Sequence, residues 1–375
     1  MTSIGGASSG MVDWNLAVAT ATRLVRPGPD VSRDEARAVV AELRRHAKAS
    51  EGHVRGFTGL GTEETHDTPV LVVDRPGWVR ANVAGFREIL KPLLEKMHER
   101  RGGTGGTVLS AVGGKVTGVE LGMLLSFLAS RVLGQYETFA PAARELPGGN
   151  GAGRLLLVAP NIVHVERELD VDPHDFRLWV CLHEETHRTQ FSAVPWLRDH
   201  LESEIQAFLA ETDVDPMTFL ERVREAAQSL AGGRPEGEED DGGHSLVELV
   251  QSPAQREILA RLTAVMSLLE GHADFVMDGV GPDVVPTVSE IREKFQQRRA
   301  KGASRLDMAL RKLLGLDAKL RQYKDGERFV RAVVDQVGMD GFNRVWTSPN
   351  TLPTKAEIAK PADWVARVHR KADPA

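Results

Sequence analysis

Residues 172–187 read DPHDFRLWVCLHEETH, and the kind of protein this chain encodes turns on that run. Asp172 followed by Pro173 is a helix start. A short polar side chain caps orphan amides, and proline fits the first turn, where its missing N–H costs nothing. Phe176, Val180, His183 and His187 then fall on one side of the helix with Trp179 adjacent, so two imidazoles continue an apolar stripe into the interior. Histidines four apart on a helix reach one cation together, and tetrahedral zinc, with imidazole nitrogens at about 2.0–2.1 Å, accepts that geometry. The run His183-Glu184-Glu185-Thr186-His187 is thus a His-Glu-x-x-His match. Glu184, turned about 100° from His183, is placed to reach a water molecule polarised by the cation without ligating the ion itself. Cys181 lies on a different face and reads as a small core hydrophobe.

A catalytic site of this type needs a third protein ligand and one open position. The metzincin extension would put glycine at 190 and histidine at 193, but the chain has Gln190 and Ala193, which excludes that class. The remaining candidates are carboxylates. Glu202 and Glu204 follow shortly downstream, and Glu204 stands 17 residues after His187, close to where thermolysin-like enzymes place their glutamate. The distant option is Leu268-Leu269-Glu270-Gly271-His272-Ala273-Asp274, inside an apolar helical run from about Ile258 to Met277. Glu270 and Asp274 share a face there with Met266 and Met277, where a carboxylate is costly unless it is paired or bound to a cation. Glu270 is therefore preferred as third ligand, with Glu204 as the alternative. Asp274 suits an acceptor for an imidazole N–H, the partner that fixes the tautomer of a ligating histidine. His272, turned about 200° from Glu270, points away from the same ion and is expected to face the substrate instead.

Outward from these segments, helices dominate. Val12 to Val25 is helical up to the Pro27-Gly28-Pro29 breaker, and a Ser32-x-x-Glu35 capping box opens a second helix over Val31 to Ala49, followed by a loop to Thr68. Pro69 to Val73 suits a strand, and Asp74-Arg75-Pro76-Gly77 turns it into a helix from Trp78 to about Arg100. The next helix is expected to run to about Tyr136. Gly114, Gly118, Gly122, Ser126 and Ser130 recur there every fourth residue, a stripe on which a second helix approaches closely. Leu155 to Val158 is a second strand candidate, and helical periodicity resumes from Asp172 almost to Val280. The whole chain reads as one mainly α domain over 1–375, with mobile ends at 1–10 and 362–375 and an acidic surface loop at 231–245.

Composition narrows the function. With 47 Lys+Arg against 53 Asp+Glu the formal charge is −6, which does not suit a polyanion partner, so nucleic acid is not expected. The apolar stretch from Val116 to Leu133 carries Glu120 and Arg131, so no spanning helix is expected, and without a leader-like segment the cytoplasm is the expected location. A single cysteine rules out a disulfide within the chain or a four-thiolate zinc knuckle, leaving His, Asp and Glu to bind any metal.

Taken together, the His183–His187 helix, the Leu268–Asp274 stretch, the Asp74-Arg75-Pro76-Gly77-Trp78-Val79 turn and Leu133-Gly134-Gln135-Tyr136 resemble the zincin-like family of hydrolases. Some members of that family are associated with deazaflavin-coenzyme biosynthesis. The resemblance runs from about Trp14 to Pro349. It implies a mainly helical zincin-like metallopeptidase fold with His183 and His187 as zinc ligands and Glu184 as the catalytic carboxylate.

The expected activity is zinc-dependent hydrolysis of a peptide or other amide, with Tyr136, His272 and Tyr323 as candidate donors to a developing oxyanion. The competing expectation is a non-catalytic helical binding module that keeps the zincin scaffold. A redox role in the deazaflavin pathway finds no support in motifs, since Gly102-Gly103-Thr104-Gly105-Gly106 lacks the spacing and preceding strand of a dinucleotide loop.

Overall fold

A computed structural model describes residues 12–61, 69–100, 107–139, 153–211, 253–301 and 316–370. The first ten residues, the acidic stretch at 231–245 and the side chain of Tyr323 lie outside the described residues. The chain forms two compact units, Met1–Lys48 with Asp67–Pro173, and Ala49–His66 with His174–Ala375. The fold is mainly α, as expected, with one small sheet among the described residues.

In the first unit, α1 (Trp14–Leu24) starts on Asp13, whose carboxylate accepts from Leu16 N at 2.9 Å. Helix α2 (Arg33–Thr58) starts on Ser32, whose hydroxyl accepts from Glu35 N at 3.1 Å, the capping bond anticipated from sequence. Strand β1 (Val70–Val73) leads directly into α3 (Arg75–Arg100). Asp74 caps α3 by accepting from Gly77 N at 2.7 Å, so Arg75 to Gly77 form its first turn rather than a separate turn before Trp78.

Helix α4 (Thr107–Ala129) packs along α1 at Gly118 and Gly122 of the small-residue stripe. A Cβ on Gly118 would lie 2.6 Å from the Asp13 carbonyl oxygen, and one on Gly122 2.7 Å from that of Ala17, so only glycine allows this approach. The expected continuation to Tyr136 does not occur. The Asn161 amide donates to the carbonyls of Ala129 (2.8 Å) and Val132 (2.6 Å), satisfying chain-end acceptors there, and Gly134–Glu137 becomes strand β2.

Strand β3 (Arg154–Val158) lies in the middle of the sheet, in the order β1-β3-β2. It runs parallel to β1, with Val70 opposite Leu155, and antiparallel to β2, with Tyr136 opposite Leu155. Leu155 to Val158 are all fully buried, which is why they read as a continuous apolar run instead of an alternating one. Helix α5 (Ala159–Leu169) completes this unit.

In the second unit, the C-terminal end of α2 runs past the expected stop at Ala49, because Val54 and Thr58 are fully buried and anchor two more turns. Gly59, at φ 66°, then ends the helix in the left-handed conformation. Helices α6 (Pro173–Ala193), α7 (Pro195–Ala210), α8 (Pro253–Gly279), α9 (Val288–Lys301) and α10 (Leu316–Phe342) make up most of the unit. Phe176, Cys181 and Leu182 of α6 are fully buried, and Cys181 is the core hydrophobe expected.

The C-terminal end departs from the expectation of a mobile tail at 362–375. Helices α11 (Lys355–Ala359) and α12 (Pro361–His369) are held in place, and only residues 371–375 lie outside the description. Trp364 is fully buried and donates through Nε1 to the Thr351 carbonyl at 2.8 Å. Arg367 donates to Glu357 at 2.6 and 3.0 Å and to the Leu352 carbonyl at 3.0 Å. No described helix is long and apolar enough to cross a membrane.

Candidate metal centre

Helix α6 carries His183 and His187 one turn apart, and α8 carries Glu270 and Asp274 one turn apart, so each helix offers a pair to the other. His183 Nε2 and His187 Nε2 are 3.2 Å apart, with ring planes at 87°. The two carboxylate oxygens of Glu270 divide between them, Oε2 at 3.7 Å from His183 Nε2 and Oε1 at 3.7 Å from His187 Nε2. Donors sharing one tetrahedral ion at about 2.0–2.1 Å stand roughly 3.3–3.5 Å from one another, and the three side chains meet that spacing closely. Two imidazole nitrogens and a carboxylate turned onto one point form a donor set of the kind that could hold a cation. Their side chains are 20%, 12% and 24% exposed, so the donors are shielded on most sides yet reachable from solvent.

The groups behind the donors are arranged to match. His183 Nδ1 faces Met277 Sδ at 3.2 Å and Asp274 Oδ1 at 3.7 Å, so Asp274 lies on the expected side of the ring, just beyond hydrogen-bond length. His187 Nδ1 lies 3.0 Å from Gln190 Oε1. Behind α6, fully buried Glu185 and Arg188 pair at 2.8 Å, and Arg188 also donates to Glu51 at 2.5 Å. Burial pushes the Glu185 carboxyl up to about 7, against the pull of Arg188.

Glu184 is 6% exposed. Burial, and after it the negative charge of Glu270, push its carboxyl well above the ordinary carboxylate range. That is the direction that suits a group exchanging protons near neutrality.

Other sequence-based candidates fall elsewhere. Glu204 is engaged by Arg261 at 2.8 and 3.0 Å, and neither it nor Glu202 joins the donor cluster. His272 does not face an open site. It is fully buried beside Phe342 and Trp346, and burial, followed by the charge of His187, lowers its pKa to about 3, so it stays neutral. Tyr136 is a buried residue of β2 in the first unit. Gln190 entered the sequence reading only as the residue that breaks the metzincin pattern. Its position three residues after His187, on the same helix face, was the available signal.

The profile of the zincin-like metallopeptidase family matches residues 12–365. A crystal structure of a proposed hydrolase with a novel fold, from Chloroflexus aurantiacus, is similar to the chain at 31% identity and a TM-score of 0.68. The alignment covers 96% of this chain and 100% of that one. No curated protein matches the chain significantly. A family match over nearly the whole length, reaching across both the His183–His187 helix and the Glu270 helix, identifies the chain as a member of the zincin-like metallopeptidase family.

Proposed function

We propose that the chain is a zinc-dependent hydrolase that cleaves an amide bond in a peptide, with His183, His187 and Glu270 as the metal ligands and Glu184 as the catalytic carboxylate. The observation that carries this reading is the convergence of both Nε2 atoms and the Glu270 carboxylate on one point, beside a buried glutamate. Nitrogen and carboxylate donors in a mixed set favour zinc over the hard cations, which prefer all-oxygen sites. A zinc ion held there supplies Lewis acidity toward a carbonyl and makes water acidic enough to act as a nucleophile at neutral pH.

The chain's own residues do the rest. Glu184 accepts a proton from the attacking water at its carboxylate and passes that proton to the nitrogen of the departing amine, so the same oxygen serves as base and then acid. Glu270 holds its two oxygens toward the histidines, and its negative charge raises the affinity of Glu184 for the proton.

The test is elemental analysis of protein purified without added metal, combined with a peptide-library cleavage assay with and without a chelator. One zinc per chain and chelator-sensitive cleavage are expected. A saturated four-ligand zinc without cleavage would favour the non-catalytic scaffold reading.

A further inference from the structure

Gln190 is fully buried and placed between three groups contributed by two helices. Its Nε2 lies 3.0 Å from the Leu269 carbonyl oxygen and 3.0 Å from His272 Nδ1, and its Oε1 lies 3.0 Å from His187 Nδ1. The two ends of an amide are told apart by their partners. A carbonyl oxygen only accepts, so the atom facing Leu269 is the amide nitrogen, and the oxygen must face His187. An amide oxygen only accepts as well, which puts a proton on His187 Nδ1 and leaves the lone pair on Nε2.

We infer that Gln190 is a positioning residue that fixes the tautomer of His187 and so commits its Nε2 lone pair to the metal centre. The assignment rests on the proposed metal site for its purpose, but the hydrogen-bond logic stands without it. Leu269 adjoins Glu270 in sequence. One amide therefore holds a ligand of α6 in register with the helix that carries the third ligand. The second amide proton goes to His272 Nδ1, which leaves Gln190 no freedom to flip, since a reversed amide would set its oxygen against the Leu269 carbonyl.

The test combines imidazole nitrogen NMR on the full-length, metal-free chain with zinc titration against a competing chelator. In the wild type, His187 is expected to carry its proton on Nδ1. Gln190→Met should populate both tautomers and weaken zinc binding by roughly 10–100-fold. Gln190→Glu keeps an acceptor for Nδ1–H and should keep the single tautomer, while the oxygen it sets against the Leu269 carbonyl lowers the melting temperature, so that a loss of packing is told apart from a loss of the tautomer. A wild-type His187 protonated on Nε2, or a Gln190→Met protein with unchanged tautomer and affinity, overturns the inference. Should neither variant fold, the wild-type spectrum alone decides. Wild type that takes up no zinc counts against the proposed function, while the tautomer measurement still tests Gln190.

Discussion

Gly271 of α8 and Gly326 of α10 cross with no room for a side chain on either. A Cβ on Gly271 would lie 2.1 Å from the Gly326 carbonyl carbon, and one on Gly326 would lie 1.9 Å from the Ser267 carbonyl oxygen. Gly271 directly follows Glu270, so this backbone contact sets the height and rotation of α8 at the residue that faces the two histidines. Overpacking of this kind costs about 1–3 kcal/mol, since rigid backbone rather than a flexible side chain must give way. Gly271→Ala should lower the melting temperature and weaken zinc binding together. Gly52→Ala supplies the contrast. Gly52 has nothing within 4 Å in a helix interior, so alanine there should stabilise by about 0.5–1 kcal/mol and leave metal binding alone. Thermal unfolding and chelator competition on the two variants check both statements.

Substitution should separate the proposed ligand and proton-transfer roles cleanly. Glu184→Gln keeps the shape of the side chain but cannot take a proton, so zinc content should stay near wild type while turnover falls by roughly 10²–10⁴-fold. His183→Ala and Glu270→Ala should each lose the metal. Glu204→Ala should keep it, because that carboxylate is tied to Arg261. Zinc content by elemental analysis and peptide cleavage rates give the four answers. Full hydrolysis by Glu184→Gln would remove this residue from the mechanism.

Much of this site was legible in the sequence because helical spacing places residues on faces. Two histidines four apart, and Glu270 with Asp274 four apart in an apolar run, each declared a pair before any tertiary contact was known. What was not legible depended on distant partners. Strand β2 has no β-branched apolar run of its own and forms because β3 offers a free edge, while Gln135 both accepts from Trp78 Nε1 and donates to Asn82. Helix α2 outruns its expected end at Ala49 because burial of Val54 and Thr58 holds the helix together. The role of Gln190 requires Leu269 and His272, which lie 79 and 82 residues away.

Arg188 gives a prediction about stability alone. It is 1% exposed, and two glutamates converge on it, Glu185 within its own helix and Glu51 at the end of α2. Removing the cation takes the ion-pair partner from fully buried Glu185, a change that costs about 3–5 kcal/mol. Arg188→Met should therefore unfold far more readily than wild type. The double variant Arg188→Met with Glu185→Leu should regain a large part of the loss, since the buried pair is then replaced by apolar groups of similar size. Denaturant unfolding of the single and double variants measures the recovery, and no recovery would mean that Arg188 acts through packing.

Glu357 predicts how stability varies with pH. Burial alone would push its carboxyl up, but the Arg367 hydrogen bonds, the Thr354 backbone N–H and the Arg367 charge more than offset that, leaving it below the ordinary carboxylate value. The unfolded chain binds the proton more readily than the folded one. The stabilising contribution is thus complete above the ordinary glutamate pKa of about 4.3 and is lost as pH falls through the lower folded value. Glu357→Gln, which cannot ionise, should lower the melting temperature most at pH 7, by an amount corresponding to about 1–3 kcal/mol for hydrogen bonds to a charged group. The gap to wild type should narrow as pH drops from about 5 toward 3, because the wild type gives up the same anion. The expected site of the loss is the α11–α12 end of the chain, where Arg367 would keep only its bonds to the Asn350 and Leu352 carbonyls. A gap of constant size across that range would mean that the anion contributes nothing and that Glu357 acts only through its cap on Thr354.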